Sequence, residues 1–222
     1  MFFLNSCIKI NKEDEKIIIE KTENYLKNKY SKSFQIKSFQ QYFHTLDWQY
    51  ETSLVAFPTQ DSTLSFLVEY DAEKMEVVKD GYQKVFWEKQ IENDASEILN
   101  KKFSVFSVNA KLSYNKTIPL VPSGFKFYNS YLFLIDKVNL PVLHLEIFII
   151  KDISETEAEI KKMINFENYF SEKTFIETEV EIYFYDEKLL NEKNENLKSI
   201  KLNLKRHKYK KYRKRKYRFK FA

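Results

Sequence analysis

The order of hydrophobic periodicities along the chain limits the folds that it can adopt. Three stretches with helical spacing begin near residues 12, 80 and 154, and each is followed by stretches in which apolar and polar residues alternate. Alternation with a period of two is typical of half-buried strands, whereas spacings of three and four are typical of amphipathic helices. Because each link from helix to first strand is short, the helix can fold back over the strands that follow it. The sequence therefore predicts an α+β fold of antiparallel meander sheets, each covered by a helix.

This repeating order predicts tandem units, each of one helix and three strands. The predicted divisions are an N-terminal tether at 1–11 and three units at 12–72, 73–152 and 153–222. The third unit ends in two alternating stretches, 199–204 and 216–221, which predict a basic C-terminal hairpin. A free basic tail is the alternative for this last segment.

Glycine and cysteine are too scarce for several common functional motifs. The 222 residues include two Gly, so a glycine-rich loop that cradles a phosphate is excluded. The single cysteine, Cys7, excludes an intramolecular disulfide and a cysteine-based zinc site. No apolar run is long enough to span a bilayer as a helix.

Leu4, Asn5, Ser6 and Cys7 resemble the lipobox of bacterial lipoproteins. In that family a Leu stands three residues before the cysteine, a small residue directly precedes it, and the cysteine becomes lipidated. The resemblance implies that Cys7 is a lipid attachment site and that residues 8–11 are a short tether. It also implies anchoring on the extracytoplasmic side of a bacterial membrane, and a cytoplasmic location is the alternative. The basic and apolar leader of the family pattern would lie upstream of the first residue.

Histidines and carboxylates are the candidates for catalysis or metal binding, and their pattern favours a structural role. His144 and Glu146 share one face of a predicted strand, but a metal site needs further ligands that no nearby cluster supplies. Glu177, Glu179 and Glu181 form a row of like charge, which we predict to lie beside a basic strand. We therefore predict no catalytic residue, no metal and no cofactor. A non-enzymatic protein is favoured, and an enzyme is the less favoured alternative.

Aromatic residues near two predicted loops are the candidates for a partner surface. Large rigid side chains are enriched at protein interfaces, where they bury much area. The candidate residues are Tyr42, Trp48, Tyr50, Phe125 and Tyr128. The sequence thus predicts an envelope lipoprotein that acts as a binding or interaction module for a protein or another envelope component. An inhibitor or immunity protein is a narrower form of this hypothesis.

The C-terminal segment supports a different function. Residues 201–222 hold twelve of the 37 Lys and Arg residues and none of the 32 acidic residues, and aromatic residues are interleaved with them. Such a segment can neutralise phosphates and stack on bases, or bind anionic lipid. The candidate polyanion contacts are Arg206, Lys208, Lys210, Lys211, Arg213, Lys214 and Arg215. Nucleic-acid binding is therefore the alternative function.

Overall fold

The computed structural model has an α+β fold, as the sequence predicts, and its chain divides into two compact units. The first unit comprises residues 1–87 and 118–129, and the second comprises 88–117 and 130–222. The residues that the structure describes are 10–44, 49–100, 106–113, 121–122, 142–150, 175, 177–186, 188–192, 196–206, 208 and 213–221. No helix among these ranges is long and apolar enough to cross a membrane.

Helix α1 (Lys12–Tyr30) begins the first unit at the predicted position. The Asn11 side chain caps it by accepting hydrogen bonds from the backbone N–H groups of Glu13 and Asp14, at 2.8 and 2.9 Å. The helix ends at Ser31, which adopts the left-handed conformation with φ 55°. Its buried side recurs every four residues, at Ile18, Thr22, Leu26 and Tyr30. This spacing gives the helix one face for packing on a sheet.

The sheet of the first unit is antiparallel and has five strands, whereas the sequence predicts three. Its strands are β1 (Phe34–His44), β2 (Gln49–Pro58), β3 (Phe66–Asp71) and β4 (Glu76–Asp80), and the two-residue β6 (Val121–Pro122) pairs with β4. Strand β4 was missed because the alternating stretch is short and runs directly into the next helix. A tight turn makes β4 possible, since the Asp71 carboxylate accepts from the backbone N–H groups of Glu73 and Lys74.

An aromatic cluster fills the core between α1 and this sheet. Tyr82 lies at its centre, with ring centroids 4.6 Å from Tyr30, 4.9 Å from Phe34 and 5.3 Å from Phe66. The first two contacts are edge-to-face, which is the arrangement that the ring quadrupoles favour. These Tyr and Phe side chains therefore form a packed core around the N-terminal end of the second helix.

Helix α2 (Tyr82–Asn100) begins in the first unit and continues into the second. Trp87, Ile91, Ala95 and Leu99 are buried, whereas Ile98 is half-buried. The difference follows from a regular spacing of four residues. In the second unit the helix also covers a sheet edge, because the Glu88 carboxylate accepts from the backbone N–H of Leu112 at 2.8 Å.

The second sheet has the order β5 (Phe106–Ser113), β7 (Val142–Ile150), β8 (Glu177–Tyr185) and β9 (Arg213–Phe221). Two of its pairs are antiparallel, as predicted, but β7 and β8 are parallel. A parallel pair needs a crossover of a dozen or more residues, and the chain between Ile150 and Glu177 is long enough to supply it. The predicted helix from 154 lies outside the described residues, so the division into three units stays a prediction.

The predicted strand at 199–204 is wrong, because these residues belong to a helix. Short helix α3 (Lys188–Glu192) is followed by α4 (Leu197–Lys205), which the Asn196 side chain caps by accepting from Ser199 N at 2.9 Å. Ile200 and Leu204, one helical turn apart, are buried, while Leu202 is exposed. They cover one end of a sheet face together with Leu189 of α3; the covered residues are Phe148, Ile150, Tyr183 and Tyr185.

The second half of the basic segment is a strand, as predicted, but it forms no hairpin with 199–204. Strand β9 pairs with β8 instead, in a register that places Lys220 opposite Glu179 and Arg218 opposite Glu181. The acidic row therefore lies beside a basic strand, as predicted. The Lys205 ammonium lies 2.7 Å from the Glu92 carboxylate.

Candidate functional site: an exposed sheet face and a serine–histidine–glutamate line

One face of the first sheet carries apolar side chains that helix α1 does not bury. Because side chains alternate along a strand, the residues between the core positions lie on the opposite face. Val55 and Leu67 are direct cross-strand partners on this face, and Leu67 is 40% exposed. At the end of β1 on the same face, Tyr42 is 52% exposed. We call Tyr42, Val55 and Leu67 the open face of the first unit.

Two of the aromatic residues proposed for a partner surface, Tyr42 and Tyr50, lie at the end of the β1–β2 hairpin. Tyr42 and Tyr50 lie on neighbouring strands there, and Tyr50 packs against Phe43 with ring centroids 5.0 Å apart. Phe43 is also an exposed aromatic residue. Trp48, Phe125 and Tyr128 lie outside the described residues. The hairpin end thus presents aromatic rings on both faces of the sheet.

The second sheet places a serine, a histidine and a glutamate in one line across three strands. The Ser113 hydroxyl of β5 lies 3.0 Å from Nε2 of His144, and Nδ1 of the same ring lies 2.8 Å from Oε2 of Glu179. The antiparallel β5–β7 pair and the parallel β7–β8 pair bring these side chains to one face. The His144 side chain is 41% exposed, so the arrangement of Ser113, His144 and Glu179 is accessible to solvent.

The carboxylate fixes the tautomer of His144. An ionised carboxylate can only accept a hydrogen bond, so Nδ1 must carry the proton that is shared with Glu179. In a neutral imidazole the other nitrogen, Nε2, is then an acceptor, and the Ser113 hydroxyl is its donor. With His144 in this neutral form, the hydroxyl proton of Ser113 is directed towards a base that Glu179 orients.

The partner of His144 differs from the residue that the sequence suggests. Glu146 does share a strand face with His144, but its carboxylate accepts from the Asn109 side-chain amide at 2.7 Å. Glu179 is the partner because the parallel register sets it directly beside His144. Among the described residues, no group of three or more His, Cys, Asp or Glu side chains is arranged to hold a metal ion. Sequence reasoning missed Ser113 and the role of Glu179, because both depend on strand order.

A charged network is buried in the first unit. The fully buried Asp80 carboxylate accepts from the Tyr30 hydroxyl at 2.5 Å and the Tyr25 hydroxyl at 3.1 Å. It also lies 2.8 Å from the Lys29 ammonium and accepts from the backbone N–H of Tyr82 at 3.2 Å. We call Tyr25, Lys29, Tyr30 and Asp80 the Asp80 network. Since Asp80 is closed to solvent, we assign the network to the fold and not to ligand binding.

The Asp80 network raises the pKa of both of its tyrosines above the ordinary value. Burial is the main cause for Tyr25 and for Tyr30, because an ionised phenolate is poorly solvated in the interior. The negative charge of Asp80 and its hydrogen bonds to the phenols raise each pKa further. Both phenols are therefore held neutral, as hydrogen-bond donors to the carboxylate.

Three of the predicted polyanion contacts are exposed. Arg206, Lys208 and Arg213 flank the link between α4 and β9, and the Arg213 guanidinium lies 5.6 Å from the ring centroid of Tyr183. The segment continues into β9, whose backbone includes Lys214 and Arg215 and lies at one end of the described strand order. Lys210 and Lys211 lie outside the described residues.

Comparison with known proteins identifies a fold and no function. The chain is similar in structure to a DUF5037 family protein from Ruminococcus gnavus ATCC 29149, with a TM-score of 0.52 and 18% sequence identity. The similarity covers 79% of this chain and 78% of the other. No protein-family model and no curated protein matches the chain. At this level of identity the similarity shows a shared fold alone.

Proposed function

We propose that the chain is an interaction module that binds another protein through the open face of its first unit. One observation carries this proposal: Tyr42 and Leu67 are about half exposed on a sheet face that also holds Val55. Exposed apolar side chains rimmed by polar ones are typical of protein-binding surfaces, and Val55 and Leu67 are direct cross-strand neighbours on this face. The rim here includes Glu69 and Lys79, whose side chains are 3.3 Å apart.

The chemistry of this surface indicates the kind of partner. Aliphatic side chains at the centre and a tyrosine at the edge favour an apolar contact patch on a folded protein. The rim pair of Glu69 and Lys79 carries both signs of charge, so the surface has no strong preference for a charged ligand. We therefore expect a protein partner whose contact is centred on Leu67.

We also propose that Cys7 carries a lipid that holds the module on the extracytoplasmic side of a bacterial membrane. The support is the lipobox resemblance of Leu4 to Cys7. The residues from 8 onwards would then connect the anchor to the cap of α1 at Asn11. A basic and then apolar segment, encoded in frame upstream of Met1, is the expected observation. A stop codon directly upstream of Met1 would contradict the anchor without affecting the binding surface.

A photo-cross-linking residue placed at position 67 tests the binding surface. We expect the full chain to form an adduct with one protein of the bacterial envelope, and we expect Val55→Asp to abolish the adduct by charging the centre of the open face. The matched control is the same cross-linker at Ile17, which is 44% exposed on α1 and lies away from this face. Equal adducts at both positions would contradict the proposal, as would an adduct between two copies of this chain.

RNA binding through the basic segment is a second candidate function. The observation that favours it is the exposure of Arg206, Lys208 and Arg213 beside a strand rich in Lys and Arg. Cationic side chains contact phosphates and release counterions, so such binding weakens as salt is added. A cationic edge strand also prevents edge-to-edge aggregation without binding any ligand, and this is the competing explanation.

Two variants that lose the same charge distinguish RNA binding from a role of the basic strand in preventing aggregation. We expect the wild-type chain to bind single-stranded RNA, and Arg206→Gln, Lys208→Gln and Arg213→Gln together to reduce the slope of log affinity against log salt by about 0.7 for each lost contact. The control removes three exposed lysines of α1, Lys12, Lys16 and Lys21, and so loses the same charge. An equal loss in both variants would indicate a net-charge effect. Binding to anionic vesicles but not to RNA would contradict this candidate.

A further inference from the structure

We propose that Ser113 is a nucleophile, activated by His144 and positioned by Glu179, that is acylated by carboxylic esters. This inference goes beyond the binding role of the first unit, because all three residues belong to the second unit. It also departs from the expectation that the chain holds no catalytic residue.

The geometry of the line supports this assignment. A serine hydroxyl is a weak nucleophile unless a base within hydrogen-bond reach takes its proton, and a third group must hold that base in the correct tautomer. Ser113 lies 3.0 Å from Nε2 of His144, and Glu179 lies 2.8 Å from Nδ1 of the same ring. Both distances fall within the range of a nucleophile–base–carboxylate arrangement. The two ring nitrogens therefore have the partners that this chemistry requires.

The reaction balances with these three groups and the ester alone. The Ser113 oxygen attacks the ester carbonyl carbon, and its proton moves to Nε2 of His144. Glu179 stabilises the imidazolium that results, without taking its proton. When the tetrahedral intermediate collapses, the bond to the alcohol oxygen breaks and Nε2 returns the proton to that oxygen. The products are an alcohol and an acyl ester on Ser113.

The surroundings of Ser113, His144 and Glu179 are open to an ester and carry both signs of charge. Ser113 is exposed at the end of β5, so an ester can reach the hydroxyl from solvent. Glu177 and Glu181 flank Glu179 at alternate positions of β8, and Glu146 lies beside Glu181 in the parallel register. Lys111 lies opposite His144, and Lys220 lies opposite Glu179, so basic residues accompany these carboxylates. A neutral ester is therefore the suitable probe.

The test uses the full chain, p-nitrophenyl acetate as the ester, and a fluorophosphonate as an irreversible probe. Intact mass and peptide mapping of the wild-type chain are expected to place one adduct on Ser113. We expect Ser113→Ala to abolish the adduct, and His144→Ala to slow labelling by at least about 100-fold because the base is lost. Ser62→Ala, which removes an exposed serine of the first unit, is the control and keeps the wild-type rate.

Glu179→Gln distinguishes a positioning role from a structural one. An amide can offer its own N–H to Nδ1, which would reverse the tautomer and make Nε2 a donor that cannot accept the hydroxyl proton. We expect slower labelling with an unchanged melting temperature and circular dichroism spectrum. The proposal is overturned if wild-type Ser113 stays unlabelled, if the adduct maps to other residues, or if His144→Ala labels at the wild-type rate. Cross-linking at position 67 would be unaffected by any of these outcomes.

Discussion

Replacing Asp80 by alanine is expected to lower the free energy of unfolding by about 3–5 kcal/mol, because it removes one member of a buried ion pair. The Asp80 carboxylate is fully buried and the Lys29 side chain is only 8% exposed. In the variant, the Lys29 ammonium and the Tyr25 and Tyr30 hydroxyls lose their contacts with the Asp80 carboxylate. In the native chain the contacts with Asp80 offset the desolvation cost of burying these groups. Without the carboxylate, that cost lowers the stability of the folded state.

Denaturant unfolding of the full chain measures this loss, with Lys79→Ala as the matched control. Lys79 is the neighbour of Asp80 in sequence and pairs with Glu69, but its side chain is 36% exposed. Exposed ion pairs contribute at most about 1 kcal/mol, so this variant should change stability little. A loss below 1 kcal/mol for Asp80→Ala would show that the network is not a major source of stability in the first unit.

A double-mutant cycle separates the ion pair from the rest of the network. Lys29→Met removes the buried ammonium while keeping a long apolar side chain. If the cost of Asp80→Ala arises chiefly from the ammonium left behind, then Asp80→Ala in the Lys29→Met background costs less than in the wild type. Equal costs in both backgrounds would assign the effect to the tyrosine hydroxyls and to the backbone N–H of Tyr82.

The Asp80 network illustrates which parts of the fold could not be predicted from the sequence. The pair Asp80-Gly81 indicated a helix start, and the structure places α2 directly after it. The sequence did not indicate that this carboxylate is buried, because Tyr25, Lys29 and Tyr30 lie on a helix some fifty residues earlier. Local periodicity identifies elements, whereas a buried polar group is defined by contacts between distant elements.

The same difference between local periodicity and long-range contacts explains why the strands of the second sheet were predicted and their pairing was not. The alternation of residues 142–150 and 175–185 predicted strands, and the structure has β7 and β8 there. Their parallel pairing joins His144 to Glu179, and the alternation within either strand does not indicate which strand lies beside it. The Ser113, His144 and Glu179 line was therefore invisible until strand order was known.

The helix at 197–205 shows how a short period-two pattern can mislead. Ile200, Leu202 and Leu204 alternate with polar residues, and a strand was predicted from them. Two of the three, Ile200 and Leu204, are also spaced by four, which is one helical turn. Asn196 caps this helix by accepting from the backbone N–H of Ser199. The cap is the local feature that distinguishes a helix from a strand here. Over six residues the two periods cannot be separated, so the cap outweighs the alternation.

Alkaline pH is expected to destabilise the first unit through the tyrosines of the Asp80 network. In the unfolded chain their phenols ionise near pH 10. In the folded chain burial, and then the charge of Asp80, raises the pKa of both Tyr25 and Tyr30 above that value. Above pH 10 the unfolded state therefore binds fewer protons than the folded state, so the free energy of unfolding decreases as pH rises. Each phenol contributes a slope of up to about 1.4 kcal/mol per pH unit.

Unfolding free energies measured from pH 8 to pH 12, together with phenolate absorbance, test this expectation. Tyr30→Phe removes one of the two titrating groups together with its hydrogen bond to Asp80. The variant should therefore be less stable than the wild type at pH 8 and lose stability less steeply above pH 10, so that the two curves approach each other. Tyr42→Phe, which removes an exposed phenol, is the control and should keep the wild-type slope. Parallel curves for the wild type and Tyr30→Phe would contradict the assignment of a slope to Tyr30, because the loss would then come from other groups.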